Sequence, residues 1–215
     1  MLIKSCVVAA ALAVVGGGVA NATVIDFTSG LTGKSGALFG GAVTWEMTGS
    51  GDLSNSRAPG GAVAPGGVDL ELDTAGYGVG VKDGAISTSA GSREWIEIAF
   101  SRPTLINAVY FLDLFVARKG KSTEVGLATF DEGRTVEVLG TDRVGIGASG
   151  FAAGVFEPIL AKVIRFSVVR STEANGNADG TLAGIDVATV PLPASGGLLF
   201  GALAVWSALR RRKRA

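Results

Sequence analysis

The stretch Val43-Thr44-Trp45-Glu46-Met47-Thr48 (VTWEMT, residues 43–48) puts Val43, Trp45 and Met47 on one side of an extended chain and Thr44, Glu46 and Thr48 on the other. Side chains of a β-strand alternate between faces with a period of two, so the stretch predicts a strand with one dry face and one wet face. Val68-Asp69-Leu70-Glu71-Leu72-Asp73 alternates in the same way, three aliphatics against three carboxylates. Working outward, strand patterns recur near 24–27, 77–81, 94–100, 105–116, 123–130, 134–139, 161–170 and 181–188. No stretch of ten residues between 23 and 189 carries a convincing helical period.

Breaker clusters punctuate these segments: Ala58-Pro59-Gly60-Gly61, Pro65-Gly66-Gly67, Asp83-Gly84, Asp131-Glu132-Gly133 and Asn175-Gly176-Asn177. About ten short strands divided by such turns predict an all-β, antiparallel β-sandwich, jelly-roll-like, in preference to alternating βαβ units. The sandwich ectodomain is expected over 23–189. The glycine-rich segments 49–67 and 145–154 are expected as surface loops, where a sandwich ordinarily carries a site.

The two ends differ from this body. Lys4, an apolar run from Cys6 to Val15 and the small-residue pattern Ala20-Asn21-Ala22 predict a signal peptide over 1–22, cut before Thr23. The single cysteine, Cys6, would leave with it, so the body is expected to fold without thiol or disulfide. All 19 acids lie between Thr23 and Ala194, against 13 of the 19 bases, so the neutral total hides a body of net charge −6. An acidic body argues against nucleic acid as a partner, because phosphate contacts need positive charge. It suits a soluble surface or cation-bridged contact with polysaccharide.

At the other end, the 16 uncharged residues Ala194 to Leu209 would span roughly 24 Å as a helix at 1.5 Å per residue. Arg210, Arg211, Arg212, Lys213 and Arg214 follow at once. Such bases stop transfer, stay in the cytoplasm and extend a short span by reaching to the headgroups. A single transmembrane helix over 195–209 with a basic tail over 210–215 is therefore expected, with the body outside. Pro191 and Pro193 hold the approach extended and non-helical. Gly197 and Gly201 leave open a close contact with another helix.

Val190-Pro191-Leu192-Pro193-Ala194, the glycine-containing apolar run and the terminal Arg-Arg-Arg-Lys-Arg together resemble the VPLPA-CTERM variant of the PEP-CTERM sorting signal. The resemblance covers about 25 of the 215 residues and implies recognition by an exosortase, a membrane-embedded cysteine transpeptidase-like enzyme. It further implies removal of the helix and delivery of the body from the inner membrane to the cell surface or extracellular matrix, often of exopolysaccharide-producing Gram-negative bacteria. Glu94 to Phe100, Leu105 to Phe111 and Val163-Ile164-Arg165-Phe166 are similar to strands of exported bodies of that group with carbohydrate-binding-like jelly rolls.

The residue types present limit the chemistry. Histidine is absent, which removes the usual base of Ser and Cys nucleophiles and the commonest zinc ligand. No phosphate-cradling G-x-x-x-x-G-K motif occurs. Asp69, Glu71 and Asp73 on one strand face would stand about 6.6 Å apart, within the range of glycosidase carboxylate pairs; a solvated strand face accounts for the same residues, and the pattern is not read as catalytic. Asn175-Gly176-Asn177-Ala178-Asp179-Gly180, with Asp186 at the twelfth position, fits part of a calcium loop, or else a plain hairpin loop. Trp45, Trp95, Tyr77 and Tyr110 could form a sugar-stacking face or lie in the core. The sequence thus predicts a non-catalytic surface protein without a resident cofactor or metal, calcium being the one ion left open. Signal peptidase, an exosortase-type enzyme and exopolysaccharide are the expected partners. A small glycoside hydrolase using Glu71 with Asp69 or Asp73 is the alternative, as is a structural matrix protein without a discrete ligand.

Overall fold

The sequence pattern predicts separate strands near 94–100 and 105–116, but in the computed structural model Ile96 to Leu112 is one strand. The structure describes residues 22–30, 33–57, 68–79, 84–89, 91–116, 122–143, 149–170 and 177–190. Their strands are β1 (Ala22–Asp26), β2 (Ser35–Leu38), β3 (Val43–Gly49), β4 (Leu53–Arg57), β5 (Thr74–Val79), β6 (Thr88–Ser89), β7 (Ser92–Arg93), β8 (Ile96–Leu112), β9 (Phe115–Val116), β10 (Glu124–Phe130), β11 (Thr135–Leu139), β12 (Asp142–Arg143), β13 (Ala152–Arg170) and β14 (Thr181–Ala188). The fold is all-β, and every pairing within the main sheet is antiparallel. Ala20 and Asn21, the motif residues after Val190, the apolar run and the basic tail lie outside the described residues. Among the described residues, no helix is long and apolar enough to cross a membrane.

β8 and β13, at 17 and 19 residues, are about three times the usual strand length of 5–6. They pair from Ala152 opposite Phe111 to Phe166 opposite Ile96, with register shifts between Val155 and Ile159 and between Ala161 and Val163. Pro158 falls inside the first shift, and Pro103 has no ladder partner across from the second. Proline cannot donate to a ladder, and an interrupted ladder lets a strand bend. Each half of β8 then takes a different second neighbour: β3 along Ile96–Phe100, β14 along Leu105–Leu112. Beyond β13 lie β10 and β11; beyond β14 lie β1, β5 and β4.

The ribbon curls back on itself. Ile96 and Phe111 would stand roughly 50 Å apart on a straight strand at ~3.3 Å per residue. Yet the Phe111 ring lies 6.1 Å, centroid to centroid and edge-on, from Phe166, which is the ladder partner of Ile96. Phe27, just past β1, likewise meets Trp45 of β3 at 5.5 Å and Tyr77 of β5 at 6.1 Å. The space enclosed by the curl is the main core, built from Phe27, Trp45, Met47, Ile98, Phe100, Phe111, Ile164 and Phe166 among others.

A second apolar cluster lies on the opposite face of β8 and β14, where Val68, Leu70, Leu72 and Phe151 cover Ala108, Tyr110, Leu112 and Ala183. With both faces covered, the end of β8 is buried at every residue from Ala108 to Leu112, and its sequence loses the alternation.

Four local expectations change. Residues 68–73 keep their alternation but form no ladder; the Glu71 N–H donates to the Asp26 carboxylate at 2.9 Å and the Leu72 N–H to Thr28 Oγ1 at 2.9 Å. Leu72, at φ 58°, turns the chain out of the extended course. β4 lies inside the expected 49–67 loop, and β13 starts inside the expected 145–154 loop. β2 has only four residues, Ser-Gly-Ala-Leu, too few for a periodicity to register.

Gly126 on β10 reports on the curl, because a Cβ there would sit 2.7 Å from the buried Phe111 ring. Gly126→Ala is expected to cost about 1–3 kcal/mol and Phe111→Ala about 3–5 kcal/mol in denaturant unfolding. In the Phe111→Ala background the Gly126→Ala cost should fall by at least about 1 kcal/mol, since the clash is gone. Strictly additive costs would mean that β8 and β10 do not face each other.

Candidate functional site

β8 sends Ile96, Ile98 and Phe100 inward, so Trp95, Glu97, Ala99 and Ser101 share the outward side. β3, paired alongside, presents Thr44, Glu46 and Thr48 there, all exposed. Thr44 N–H donates to Ser101 Oγ across the pair at 2.9 Å. On the other flank, Arg165 of β13 stands opposite Glu97 and donates from Nε and Nη2 to its Oε2 at 3.0 and 2.7 Å. The same guanidinium lies 4.5 Å from the centroid of the half-buried Trp95 ring. Arg165 is thus held by a carboxylate and an aromatic face together, which fixes the Trp95 side chain at one end of the stripe.

The other end opens into a groove of about 690 Å³, lined by Ser35, Gly36, Thr44, Glu46, Ala99 and Ser101 among others. Gly36 is required beneath it, because a Cβ there would meet the Trp45 indole at 2.7 Å. From Trp95 to Ser101 the stripe runs roughly 20 Å at ~3.3 Å per residue. Its floor is small, its walls carry hydroxyls and carboxylates, and one aromatic ring closes it. That arrangement offers hydrogen bonds and one apolar contact to a flat, hydroxyl-rich chain.

Of the four aromatic candidates, Trp45, Tyr77 and Tyr110 are core residues at 5, 4 and 6 % exposure, leaving Trp95 alone at the surface. Burial raises the Tyr77 hydroxyl pKa, and burial together with Asp186 raises that of Tyr110. Asp69, Glu71 and Asp73 are all exposed on the segment that left the ladder. Asn175 and Gly176 lie outside the described residues. Asn177 turns its carbonyl to Arg170, which donates from Nε at 2.6 Å. Asp186 sits five residues into β14, roughly 17 Å along the strand, where it accepts from Asn107 Nδ2 at 3.1 Å. Asp179 and Asp186 therefore do not converge. Among the described residues, no three carboxylate or cysteine side chains gather in a way that could hold a metal ion.

Asp179 instead joins a polar cluster at the end of the main core. Glu124 opens β10 on the side of Gly126, Ala128 and Phe130; Arg170 closes β13 on the side of Ile164, Phe166 and Val168. The two stand opposite each other in the ladder and form an ion pair at 3.1 Å. Arg170 Nη1 also donates to Ser122 Oγ at 3.1 Å, and the Phe115 N–H donates to Glu124 Oε2 at 2.8 Å. Burial pushes the Glu124 pKa up to about 7, and the hydrogen-bonded Asp179 adds to the rise; the Phe115 N–H and Arg170 oppose it. Asp113 is raised by burial and then by Asp179. A detectable signal was present in the sequence: Glu124 and Arg170 each continue the apolar side of a strand, where a charge needs a buried partner.

No family model matches the chain, and no curated protein and no solved structure matches it.

The cluster makes stability depend on pH in a defined sense. Folded Glu124 titrates near 7 against an ordinary 4.5, so between these values the folded chain holds a proton that the unfolded chain has released. Glu124 therefore adds no penalty below about pH 4.5, and stability falls as pH rises toward 7. Relative to Glu124→Gln, the natural protein should lose about 1–3 kcal/mol across that window, measured by denaturant unfolding at each pH. Parallel curves for the two proteins would remove the buried acid from the account.

Proposed function

We propose that the chain is an exported, surface-sorted, non-catalytic protein of the cell envelope or extracellular matrix whose body is a jelly-roll-like β-sandwich that associates with exopolysaccharide. The observation that carries the sorting part is the order of the C-terminal segment: Val190 to Ala194, an uncharged run, then five bases. An exosortase-type enzyme would act at this segment, and signal peptidase at Ala20-Asn21-Ala22 before Thr23. The curl of the β8–β13 ribbon around one core supports the sandwich, since two halves of a bent sheet facing each other make its two layers.

The polysaccharide part rests on the outward stripe of β3, β8 and β13. Trp95 supplies the apolar platform, Glu97 and Arg165 fix it, and Glu46 with Thr44 and Ser101 supplies acceptors and donors in the groove. The body's negative charge favours a neutral glycan, or an acidic one bridged by a cation such as calcium.

Mass spectrometry of membrane and extracellular fractions of the native host should find mature protein outside the cell, beginning at Thr23 and ending within Val190 to Ala194. Retention of Leu198 to Arg211 in the inner membrane would make the tail a plain anchor. The released protein should co-sediment with the host's own exopolysaccharide, and Trp95→Ala should weaken this about three- to tenfold, as expected for ~0.5–1.5 kcal/mol from one ring contact. Binding that ignores Trp95→Ala would move the site elsewhere, and no binding with or without calcium would leave a structural matrix protein.

A further inference from the structure

Ala22 and Thr23 flank the bond expected to be cut when the leader is removed, and neither is in a loop. Both belong to β1, opposite Ala188 and Val187 of β14. Ala188 in turn precedes Val190, the first residue of the sorting motif, by two positions. The two ends of the body that would lead to membrane-directed segments therefore leave the sheet side by side, on neighbouring strands.

Among the described residues β1 has one ladder partner, β14, and Ala22 pairs 166 positions away along the chain. A chain exported from its N-terminus delivers Ala22 first and Ala188 last, so β1 has no strand to join until Thr181–Ala188 has followed. Pairings of such separation form late in folding, because the intervening chain must be ordered or looped before they are made.

More is then built on β1. Asp26 accepts from the Thr28 N–H at 2.7 Å and from the Glu71 N–H at 2.9 Å, and the Thr28 carbonyl accepts from the Thr74 N–H at 2.8 Å. These bonds seat Val68, Leu70 and Leu72 over Tyr110 and Ala183. The last strand exported is thus the support of the first, and the first is the support of the cover on the second core.

Once β1 is docked, Ala22 is exposed and Thr23 half-buried, but the backbone on both sides of their bond is held extended in the ladder with β14. Ile25 and Phe27, two and four residues beyond Thr23, are 5 and 0 % exposed in the main core. Peeling β1 from β14 beyond its first residues means lifting both from the core, and a protease acts on the population so opened. We propose that β14 is the lock on the N-terminal processing site: the bond between Ala22 and Thr23 is cut while β14 is absent, and the arrival of β14 seals the new N-terminus into the sheet beside the exit of the C-terminal segment. The fold then imposes an order, leader removal before completion of the sheet and release of the tail after it. This rests on the proposed export of the chain.

The test uses the full-length uncut chain, folded in detergent, with a purified bacterial signal peptidase. Two comparison chains lack a working β14: one ends at Gly180, and one carries Ile185→Pro in the middle of the strand. The folded full-length chain should be cut at least about tenfold more slowly than either, in proportion to its small open population. N-terminal sequencing of the product should begin at Thr23. Equal rates of cutting after Ala22 in all three chains would overturn the lock and leave the export reading intact. Absence of that cut from all three would overturn the export reading and the lock with it.

Discussion

Pro103 and Pro158 withhold two N–H donors from the longest pair of strands in the protein, and the β8–β13 ribbon bends in that region. Nearly everything else depends on this bend. It divides β8 between two second neighbours, β3 and β14, and so gives one strand a place in both halves of the sheet. It brings Phe111 onto Phe166 and lets Gly126 lie under the Phe111 ring. Without it the aromatic residues that make the core would be strung out along a flat ribbon with no second layer to bury them. The only cysteine is Cys6, upstream of the first strand, so no disulfide supports this closure and packing must.

The curl also decides where charge can be placed. Strand ends at the rim of the core continue the inward side of their strands, so Glu124 and Arg170 point toward apolar neighbours and satisfy each other. Asp179 and Asp113 crowd the same rim; burial raises Glu124 and Asp113, and the charge of the exposed Asp179 adds to both. The outward stripe of β8 is the opposite case. Glu97 and Arg165 are in water and partly exposed, where an ion pair contributes little to stability. Their visible effect is to orient the Trp95 ring, the one candidate sugar platform that burial has not claimed.

Much of this was legible in the sequence where one face of a strand is wet. Val43 to Thr48 alternates and is β3; Glu124 to Phe130, Thr135 to Leu139 and Thr181 to Ala188 were placed to within a residue or two. Asp131-Glu132-Gly133 is the turn its residues predict between β10 and β11, whereas the gap between the patterns near 94–100 and 105–116 is a bend at Pro103 inside one strand, because periodicity cannot tell a bulge from a turn. Val68 to Asp73 shows the converse failure: a covering segment with one apolar side alternates as well as a strand does, and only its hydrogen bonds to Asp26 and Thr28 distinguish it. Of the site, Trp95 is legible in the sequence as an aromatic candidate, but its partner Arg165 lies 70 positions away, and that juxtaposition is a property of register. The Glu124–Arg170 pair leaves a mark in the sequence, a charge on the apolar side of each of two strands, but which charge meets which is again a matter of register.

The closure of the ribbon can be observed in solution without any substitution. Nuclear Overhauser contacts among aromatic ring protons would report whether Phe111 and Phe166, 6.1 Å apart by their centroids, touch. A direct cross-peak between the two rings, alongside the ladder contacts of Phe111 with Ala152 and of Phe166 with Ile96, is the result this account predicts. Ladder contacts without the ring-to-ring cross-peak would describe an open ribbon and would contradict the curl, the core within it and the two-layered body proposed from it.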